Sequence, residues 1–173
     1  SLKYQERERL PLKDDEVEIT VAATGLNFRD VLVVLGMYPG EISELGLECT
    51  GIISKVGSSC THLKVGQPVL AVVHDCFQTY VNCKSIFVFP LKSTKDLLPA
   101  ATLAVTYLTA WYGLKHLAQI KSGDVVLIHA GAGGVGMAAL QLAKHFGARC
   151  FATAGSTEKQ KIALSLGAEK IFS

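Results

Sequence analysis

The 173-residue chain carries little charge, and its positive and negative charges are nearly balanced. Charged residues make up 18% of the sequence, with 17 Lys and Arg against 15 Asp and Glu, whereas hydrophobic residues make up 49%. A chain this apolar is not intrinsically disordered, because it can bury a sizeable core. No segment is strongly basic, so we do not expect nucleic acid among the partners.

The cysteines follow no spacing that predicts a disulfide framework or a zinc site. Their number is odd, and no two of them are separated by two residues. We therefore expect reduced, mostly buried thiols in a cytoplasmic protein. The five positions are Cys49, Cys60, Cys76, Cys83 and Cys150.

The sequence also lacks a continuous apolar run of about 20 residues, the length that spans a membrane. Residues 97–114 are uncharged but contain one proline and three threonines, and residues 125–143 are interrupted by four glycines. We therefore expect no membrane partner. The first residues show no signal-peptide pattern and no initiator Met, so we expect a chain cut from a longer protein or processed at its start.

Residues 1–95 have the pattern of a β-rich domain. Val17, Ile19 and Val21 alternate with polar residues, which is typical of a half-buried strand. Further short strands punctuated by glycine and proline predict a small barrel or sandwich. A short helix is expected over residues 30–36, with Asp30 as its cap and a glycine at its end.

Residues 96–173 change to the pattern of a parallel α/β domain. A helix is predicted first, and the rest reads strand, helix, strand, helix, strand, which is half of a doubly wound sheet. The predicted elements are a helix over 97–117, a buried strand over 125–129, a glycine turn over 131–136, a helix whose core face is Val135, Ala138, Ala139, Leu142 and Phe146, a strand over 149–153, a helix over 156–166 and a strand from 170.

The glycine turn satisfies the G-x-G-x-x-G pattern between a predicted strand and a predicted helix, which is the context that dinucleotide binding requires. Gly131 permits the tight turn, Gly133 lets the backbone approach a pyrophosphate, and Gly136 lets the helix pack close to the strand. Gly134 and Val135 lie between them and complete the predicted cofactor-binding turn. The alternative is a plain glycine-rich turn of another α/β fold.

The residues after the second predicted strand favour NADPH over NADH. An NAD site would carry an acidic residue at the strand end, but Ala154 and Gly155 are neutral. Ser156 can donate to a phosphate and Lys159 can neutralise it. Glu158 is the competing candidate for a ribose, although we expect it in the first helical turn, where the helix dipole favours it. Ser156 alternatively serves only as a helix N-cap.

Four motifs together resemble the enoylreductase domains of polyketide synthases, in the medium-chain dehydrogenase/reductase superfamily. They are NFRD at 27–30, GMYPG at 36–40, LTAWY at 108–112 and HAGAGGVGM at 129–137. The resemblance runs from about residue 20 to the end. It implies an α/β protein: a GroES-like β-rich partial barrel (residues 1–95) followed by the first half of a Rossmann doubly wound parallel sheet (residues 96–173). The sequence stops as the third Rossmann strand begins, so we expect a fragment.

The resemblance also implies roles for three residues in the active site. Asn27 would lie near the nicotinamide ribose, Thr109 near the nicotinamide carboxamide, and Tyr38 would be the catalytic tyrosine that protonates the α-carbon. Each has a simpler alternative. Tyr38 can be an ordinary tyrosine at the rim of a cleft, Asn27 a turn former, and Thr109 a residue that bonds back within its own helix.

The implied cofactor is NADPH, held by residues 133–136 at the pyrophosphate and by Ser156 and Lys159 at the 2′-phosphate. No metal is expected, because the Gly-His-Glu motif of zinc-dependent relatives reads Gly-Leu-Glu here, with Leu47 in place of the imidazole. Of the five histidines, His129 adjoins the glycine turn and is expected to be structural.

The implied reaction reduces the α,β-double bond of an enoyl thioester. The implied partners are an acyl carrier protein bearing that thioester and the neighbouring domains of the synthase. The alternatives are a free-standing quinone or enone oxidoreductase, and a catalytically incomplete NADPH-binding module.

Overall fold

The structure is a computed structural model that describes residue 3, residues 5–40 and residues 44–173. The chain divides into two compact units, Ser1–Ala104 and Val105–Ser173. The assignment of residues 1–95 to a substrate domain and of residues 96–173 to a cofactor domain stays a prediction.

The first unit is built on a five-stranded antiparallel sheet with the strand order β4-β1-β2-β3-β5. The strand predicted around Val17 and Ile19 is confirmed, and both side chains are fully buried, but the predicted half-buried alternation is wrong at its start, because Glu16 and Glu18 are buried as well. The strands are β1 (Glu16–Thr24), β2 (Glu48–Val56), β3 (Pro68–Val72), β4 (Tyr80–Lys84) and β5 (Val88–Pro90), with a 3₁₀ turn at Ser85–Phe87.

The cysteines are all free and buried, as the sequence analysis predicted. The pKa is raised for three of them. Burial raises the pKa of Cys83 to about 12 and also raises that of Cys150. The pKa of Cys49 rises mainly because it hydrogen-bonds with Cys76, whose own pKa is lowered by the same bond. Cys49 and Cys83 therefore stay neutral and fill the core of the first unit as small apolar groups.

The short helix α1 (Phe28–Val34) begins two residues earlier than predicted, and the prediction of Asp30 as its cap is wrong. Asn27 is the N-cap, and Asp30 is the third helical residue, whose Oδ2 accepts the Asn27 main-chain N–H at 2.9 Å. This is the reciprocal half of a capping box, for which a carboxylate three residues after the cap has the right reach. The predicted stop is confirmed: Gly36 has φ +67°, a left-handed conformation that favours glycine.

The single helix predicted over residues 97–117 is broken. A 3₁₀ turn at Thr94–Asp96 leads into α2 (Leu97–Ala100), and after a turn come α3 (Ala104–Trp111) and a π-helical segment (Tyr112–Leu117). In the first unit, Thr50 Oγ1 donates to the Leu97 carbonyl at 2.7 Å, and the Ala101 carbonyl packs against Gly25. The break therefore coincides with contacts that this segment makes to the rest of the first unit.

Within the described part of the chain, no single helix has the length and apolarity needed to cross a membrane. One bent pair of segments, 94–100 and 104–117, which meet at 60°, passes that test on length and composition.

The second unit is a three-stranded parallel sheet with the order β6-β7-β8 and two crossover helices, which confirms the predicted strand–helix alternation. Ile128 pairs with Ala152 at the ends of the first two strands, so those ends lie side by side. The elements are β6 (Val125–Ile128), α4 (Gly134–His145), β7 (Arg149–Thr153), α5 (Thr157–Ser165) and β8 (Ala168–Phe172).

Two predictions of burial in this unit are wrong. The β6 strand is not buried throughout, because Val125 and Leu127 are about half exposed on one face. Val135 is 42% exposed, although it was predicted in the core of its helix. The rest of the predicted face is buried or partly buried, so the error is confined to Val135, which lies in the first turn of α4.

Candidate functional site

The glycine turn lies at the carboxyl end of β6, where a βαβ unit presents its ligand site. Two hydrogen bonds shape it: the Gly131 N–H donates to the Thr153 carbonyl of β7 at 2.9 Å, and the Gly133 N–H donates to the Ala130 carbonyl at 2.8 Å. The chain then enters α4 at Gly134. The turn is thus tied to the next strand of the sheet and leads directly into the helix.

Two of the motif glycines are required by close approach of the backbone. A Cβ atom at Gly136 would lie 2.3 Å from the Ala130 carbonyl oxygen, and one at Gly131 would lie 2.7 Å from the Ala152 Cβ. At the exposed Gly133 a Cβ atom would meet only the Ala130 carbonyl oxygen, at 3.2 Å. The first and third glycines therefore hold the turn together, and the second leaves its outer face open.

The start of α4 has the chemistry that an anion requires. The main-chain N–H groups of Gly134, Val135 and Gly136 have no acceptor within the helix, because the first turn never does. The N-cap is Gly133, which offers no side-chain cap, and the first turn carries no acidic residue. Free donors at the positive end of a helix dipole fit the pyrophosphate of a dinucleotide.

The α3 helix lies against this turn through a residue that the sequence analysis missed. A Cβ atom at Gly134 would lie 3.2 Å from Thr106 Cγ2. Thr109 is three residues further on, and it therefore shares that face of α3. The Thr109 hydroxyl donates to the Val105 carbonyl at 2.6 Å, which is the alternative of bonding within the helix. With its proton used, this exposed hydroxyl can offer only its lone pairs to a ligand.

Ser156 caps α5, as its alternative role predicted. Its Oγ accepts the Lys159 main-chain N–H at 3.4 Å. Glu158 lies in the exposed first turn of α5, and the pKa of its carboxyl is lowered, first by its own main-chain N–H and then by the Ser156 hydroxyl. Glu158 thus lies in the helix as expected, and its carboxylate accepts from the Ser156 hydroxyl.

Asn27 contacts a buried carboxylate in the first unit. Its Nδ2 donates to Glu48 Oε1 at 3.1 Å, and the Glu48 residue is only 1% exposed. Asn27 is also the N-cap of α1, so the turn-former alternative is part of its role. Glu48 is the glutamate of the Gly-Leu-Glu motif, and its contact with Asn27 was not predicted.

Asp30 links α1 to a distant turn. Its Oδ1 accepts the Gly46 main-chain N–H at 2.9 Å, while its Oδ2 holds the Asn27 N–H, and the residue is 1% exposed. The spacing of Asn27 and Asp30 is a signal for the local bond. No local signal indicates the bond to a residue 16 positions away.

Tyr38 is half-buried in the loop after α1, with its main-chain N–H donating to the Leu32 carbonyl at 3.2 Å. The Arg29 guanidinium carbon lies 5.5 Å from the centre of the Tyr38 ring, within cation–π range. Arg29 Nη1 is also 3.7 Å from Asp30 Oδ1. Arg29 belongs to the NFRD motif, and its guanidinium places a positive charge beside the tyrosine, a contact that was not predicted.

The structure places no group of three His, Cys, Asp or Glu side chains where they could hold a metal ion, within the described residues 3, 5–40 and 44–173. His129 Nδ1 lies 3.4 Å from Thr153 Oγ1, which gives this histidine a partner beside the glycine turn.

Comparison with protein families matches both parts of the chain. Residues 13–92 match the alcohol dehydrogenase GroES-like domain, and residues 134–173 match a family described as zinc-binding dehydrogenase. The first match lies within the first unit of the structure, and the second match lies within the second unit.

Curated relatives include large synthases. The chain is 45% identical over 161 residues to highly-reducing polyketide synthase 1 of Aureobasidium melanogenum, covering 93% of this chain and 7% of that protein. It is 38% identical over 168 residues to the phthioceranic/hydroxyphthioceranic acid synthase of Mycobacterium tuberculosis, covering 95% of this chain and 8% of that protein.

Solved structures match nearly the whole chain. The CurK enoyl reductase is 42% identical with a TM-score of 0.91, and Escherichia coli quinone oxidoreductase complexed with NADPH is 32% identical with a TM-score of 0.85. Each match covers 98% of this chain, which spans about half of the solved chains, 54% and 53%. The chain belongs to the medium-chain dehydrogenase/reductase family. Within that family, its resemblance to the enoylreductase domains of polyketide synthases is confirmed.

Proposed function

We propose that this chain is part of an NADPH-dependent enoyl-thioester reductase domain of a polyketide synthase. The observation that carries the proposal is its similarity to the CurK enoyl reductase, with 42% identity and a TM-score of 0.91 over 98% of the chain. The glycine turn and the residues around Asn27 and Tyr38 supply groups that such an enzyme needs.

In this proposal NADPH, when bound, supplies the hydride that reduces the β-carbon of the enoyl group. Residues 133–136 hold its pyrophosphate through the free N–H groups of Gly134, Val135 and Gly136, and Ser156 and Lys159 bind its 2′-phosphate. Thr109 accepts from the carboxamide, which suits a hydroxyl whose own proton is already donated to Val105. Asn27 contacts the nicotinamide ribose, with its amide held in place by Glu48.

Tyr38 is the proposed proton donor to the α-carbon of the substrate. The enolate left by reduction at the β-carbon is basic enough to take the phenolic proton. Arg29, whose guanidinium carbon lies 5.5 Å from the centre of the ring, is within cation–π range and helps to orient the Tyr38 ring. Asp30 fixes α1 to the turn at Gly46 and so supports the helix that precedes Tyr38.

The proposed partners are an acyl carrier protein bearing the enoyl thioester and the neighbouring domains of the synthase, and the proposed location is the cytoplasm. The relatives that contain a similar segment are synthases more than ten times the length of this chain, since the match covers only 7–8% of them. A substrate tethered to a carrier suits a domain inside so long a protein.

The test is NADPH oxidation by the full-length protein with a crotonyl thioester. Turnover that is faster with the carrier-bound thioester than with a quinone is expected. The second candidate, a free-standing quinone oxidoreductase, is favoured by 32% identity to the Escherichia coli enzyme and predicts the reverse order. Binding of NADPH without turnover of either substrate would leave the catalytically incomplete module.

The role of Tyr38 is tested with an α-methyl enoyl thioester and chiral analysis of the product. Tyr38→Phe keeps the ring and removes the proton, so we expect a rate loss of about 10²–10⁴-fold where protonation limits the rate, or an altered α-configuration where it does not. Tyr80→Phe is the matched control, because Tyr80 also lies under an arginine, Arg9, but in β4 at the edge of the five-stranded sheet. An unchanged rate and an unchanged configuration would make Tyr38 a structural residue.

A further inference from the structure

Ala130, at the start of the glycine turn, adopts a backbone conformation that alanine disfavours. Its φ is +51°, in the left-handed region where a Cβ atom crowds the following carbonyl. The same residue directs the turn: its carbonyl accepts the Gly133 N–H at 2.8 Å and is the atom that a Cβ at Gly136 would strike. A strained residue on which the turn depends must be held by its neighbours.

Thr153, the last residue of β7, accepts the hydrogen bonds that keep Ala130 in this conformation. Its side-chain Oγ1 accepts the Ala130 N–H at 3.0 Å, and its main-chain carbonyl accepts the Gly131 N–H at 2.9 Å. Two consecutive N–H groups of the turn thus end on one residue of the adjacent strand. Thr153 Oγ1 also lies 3.4 Å from His129 Nδ1, and the Thr153 hydroxyl can donate a hydrogen bond to that nitrogen when the nitrogen carries no proton.

We propose that Thr153 is a positioning residue that holds Ala130 in its left-handed conformation and thereby keeps the glycine turn in the form that binds the pyrophosphate. The inference rests on the proposed binding of NADPH to this turn. In this proposal Thr153 acts through Ala130, so loss of its hydroxyl loosens the turn but removes no protein group that contacts the cofactor.

The first test measures the Kd of NADPH for variants of the full-length protein. Thr153→Val keeps the shape and removes the hydroxyl, and a loss of about fivefold to tenfold in affinity is expected from one missing hydrogen bond. Thr153→Ser keeps the hydroxyl and should recover most of that loss. Thr61→Val, at an exposed position of the first unit, is the matched control. Equal affinity of the wild type and Thr153→Val would overturn the proposal.

A rescue experiment separates positioning from a general structural role. Glycine adopts positive φ without the penalty that alanine has. Ala130→Gly added to Thr153→Val should therefore restore much of the affinity for NADPH. If Thr153 only filled space at the strand end, a change at residue 130 would restore nothing, and that result would contradict the proposal.

Hydrogen exchange of the wild-type protein tests the same bond without any variant. The Ala130 amide is expected to exchange slowly although its residue is exposed, because Thr153 Oγ1 accepts it. Free exchange of this amide would overturn the proposal. The measurement also separates the positioning role of Thr153 from the proposed function. If the wild-type protein protects the Ala130 amide but does not bind NADPH, the proposed function is refuted and the hydrogen bond from Ala130 to Thr153 is still supported.

Discussion

The two units fill their cores with side chains of different size, and they build their candidate sites from different groups. The fully buried residues of the first unit include Ile19, Ile53 and Val69, whereas the core of the second is mostly alanine around Leu140. Small side chains let α4 approach the sheet closely, so the second unit can offer its own backbone as a ligand surface. The phosphate-binding groups proposed there are therefore mainly N–H groups.

The first unit instead depends on buried carboxylates, two of which, Asp30 and Glu48, hold the proposed site residue Asn27. Glu18, Asp30 and Glu48 are each 1% exposed, and each accepts hydrogen bonds. Buried charge of this kind persists only when it is fully paired, and removing it leaves its donors without partners. The first unit should thus be sensitive to loss of a carboxylate, and the second to any atom added at a glycine.

The largest expected effect is in the first unit, at Asp30. Asp30→Ala would leave the N–H groups of Asn27 and Gly46 without acceptors, at about 1–3 kcal/mol for each buried donor. Urea unfolding of the wild type and the variant measures the loss. Asp15→Ala, at an exposed position, should change stability by less than about 0.5 kcal/mol. If Asp30→Ala lowered the free energy of unfolding no more than the control does, the first unit would not depend on its buried carboxylates as described.

The corresponding change in the second unit is Gly136→Ala. The added methyl group would meet main-chain atoms of Ala130 and Gly131, which cannot move without opening the turn, at about 1–3 kcal/mol of strain. We expect weaker binding of NADPH and a lower Tm. Gly155→Ala is the control, since a Cβ atom there meets nothing within 4 Å. Identical behaviour of the two variants would show that close approach at Gly136 is unimportant.

The pH dependence of stability should distinguish a buried carboxylate of the first unit from an exposed one of the second. Burial alone would raise the pKa of Glu18, but hydrogen bonds from Ser54, Lys55 and Arg9 outweigh it and hold this pKa below its ordinary value. A group whose pKa is lowered in the folded state stabilises the protein above its unfolded pKa and loses that contribution as the pH falls.

Glu18→Gln should therefore destabilise the protein by about 1–3 kcal/mol at neutral pH, and the difference from the wild type should shrink as the pH falls below the ordinary value of 4.5. Denaturant midpoints across this pH range provide the measurement. Glu169→Gln is the control, because Glu169 pairs with Arg149 on the surface of the second unit and should have little effect at any pH. A pH-independent difference at Glu18 would refute the explanation.

The smallest effect is expected at Lys159. Its side chain is exposed, so its attraction to a 2′-phosphate is weakened by solvent and salt. Lys159→Ala should weaken NADPH binding by about 1 kcal/mol, or roughly fivefold, and leave NADH nearly unchanged. Lys161→Ala, two residues further along the same exposed helix, is the control. Equal weakening for both cofactors would exclude Lys159 from the phosphate site.

Local patterns in the sequence predicted most of the fold. The alternation at Val17 and Ile19 indicated β1, and the glycine motif in its strand–helix context indicated the turn before α4, because both signals involve residues close in the chain. The glycine predicted to end the short helix α1, Gly36, has a φ of +67°. Each of these signals involves residues close together in the chain, and the structure confirms the strand, the turn and the helix end that they predicted.

Features that depend on distant residues could not be predicted. The segment from residue 97 to 117 consists largely of helix-forming residues, and the break coincides with contacts of Thr50 and Gly25. Since all four β6 residues are apolar, the sequence does not reveal that Val125 is exposed. In the candidate site, Asn27 and Tyr38 could be named from a motif, whereas the bond from Asp30 to Gly46 depends on folding across 16 residues.

The most direct test of the proposed cofactor site is the binding of NADPH and NADH to the full-length wild-type protein by titration calorimetry. The neutral end of β7, with Ser156 and Lys159 beyond it, predicts that NADPH binds more tightly than NADH. The open N–H groups at the start of α4 predict that both bind through the same turn, so NADH should compete with NADPH. Failure to bind NADPH, or tighter binding of NADH with Glu158 on its ribose, would contradict the proposed NADPH site.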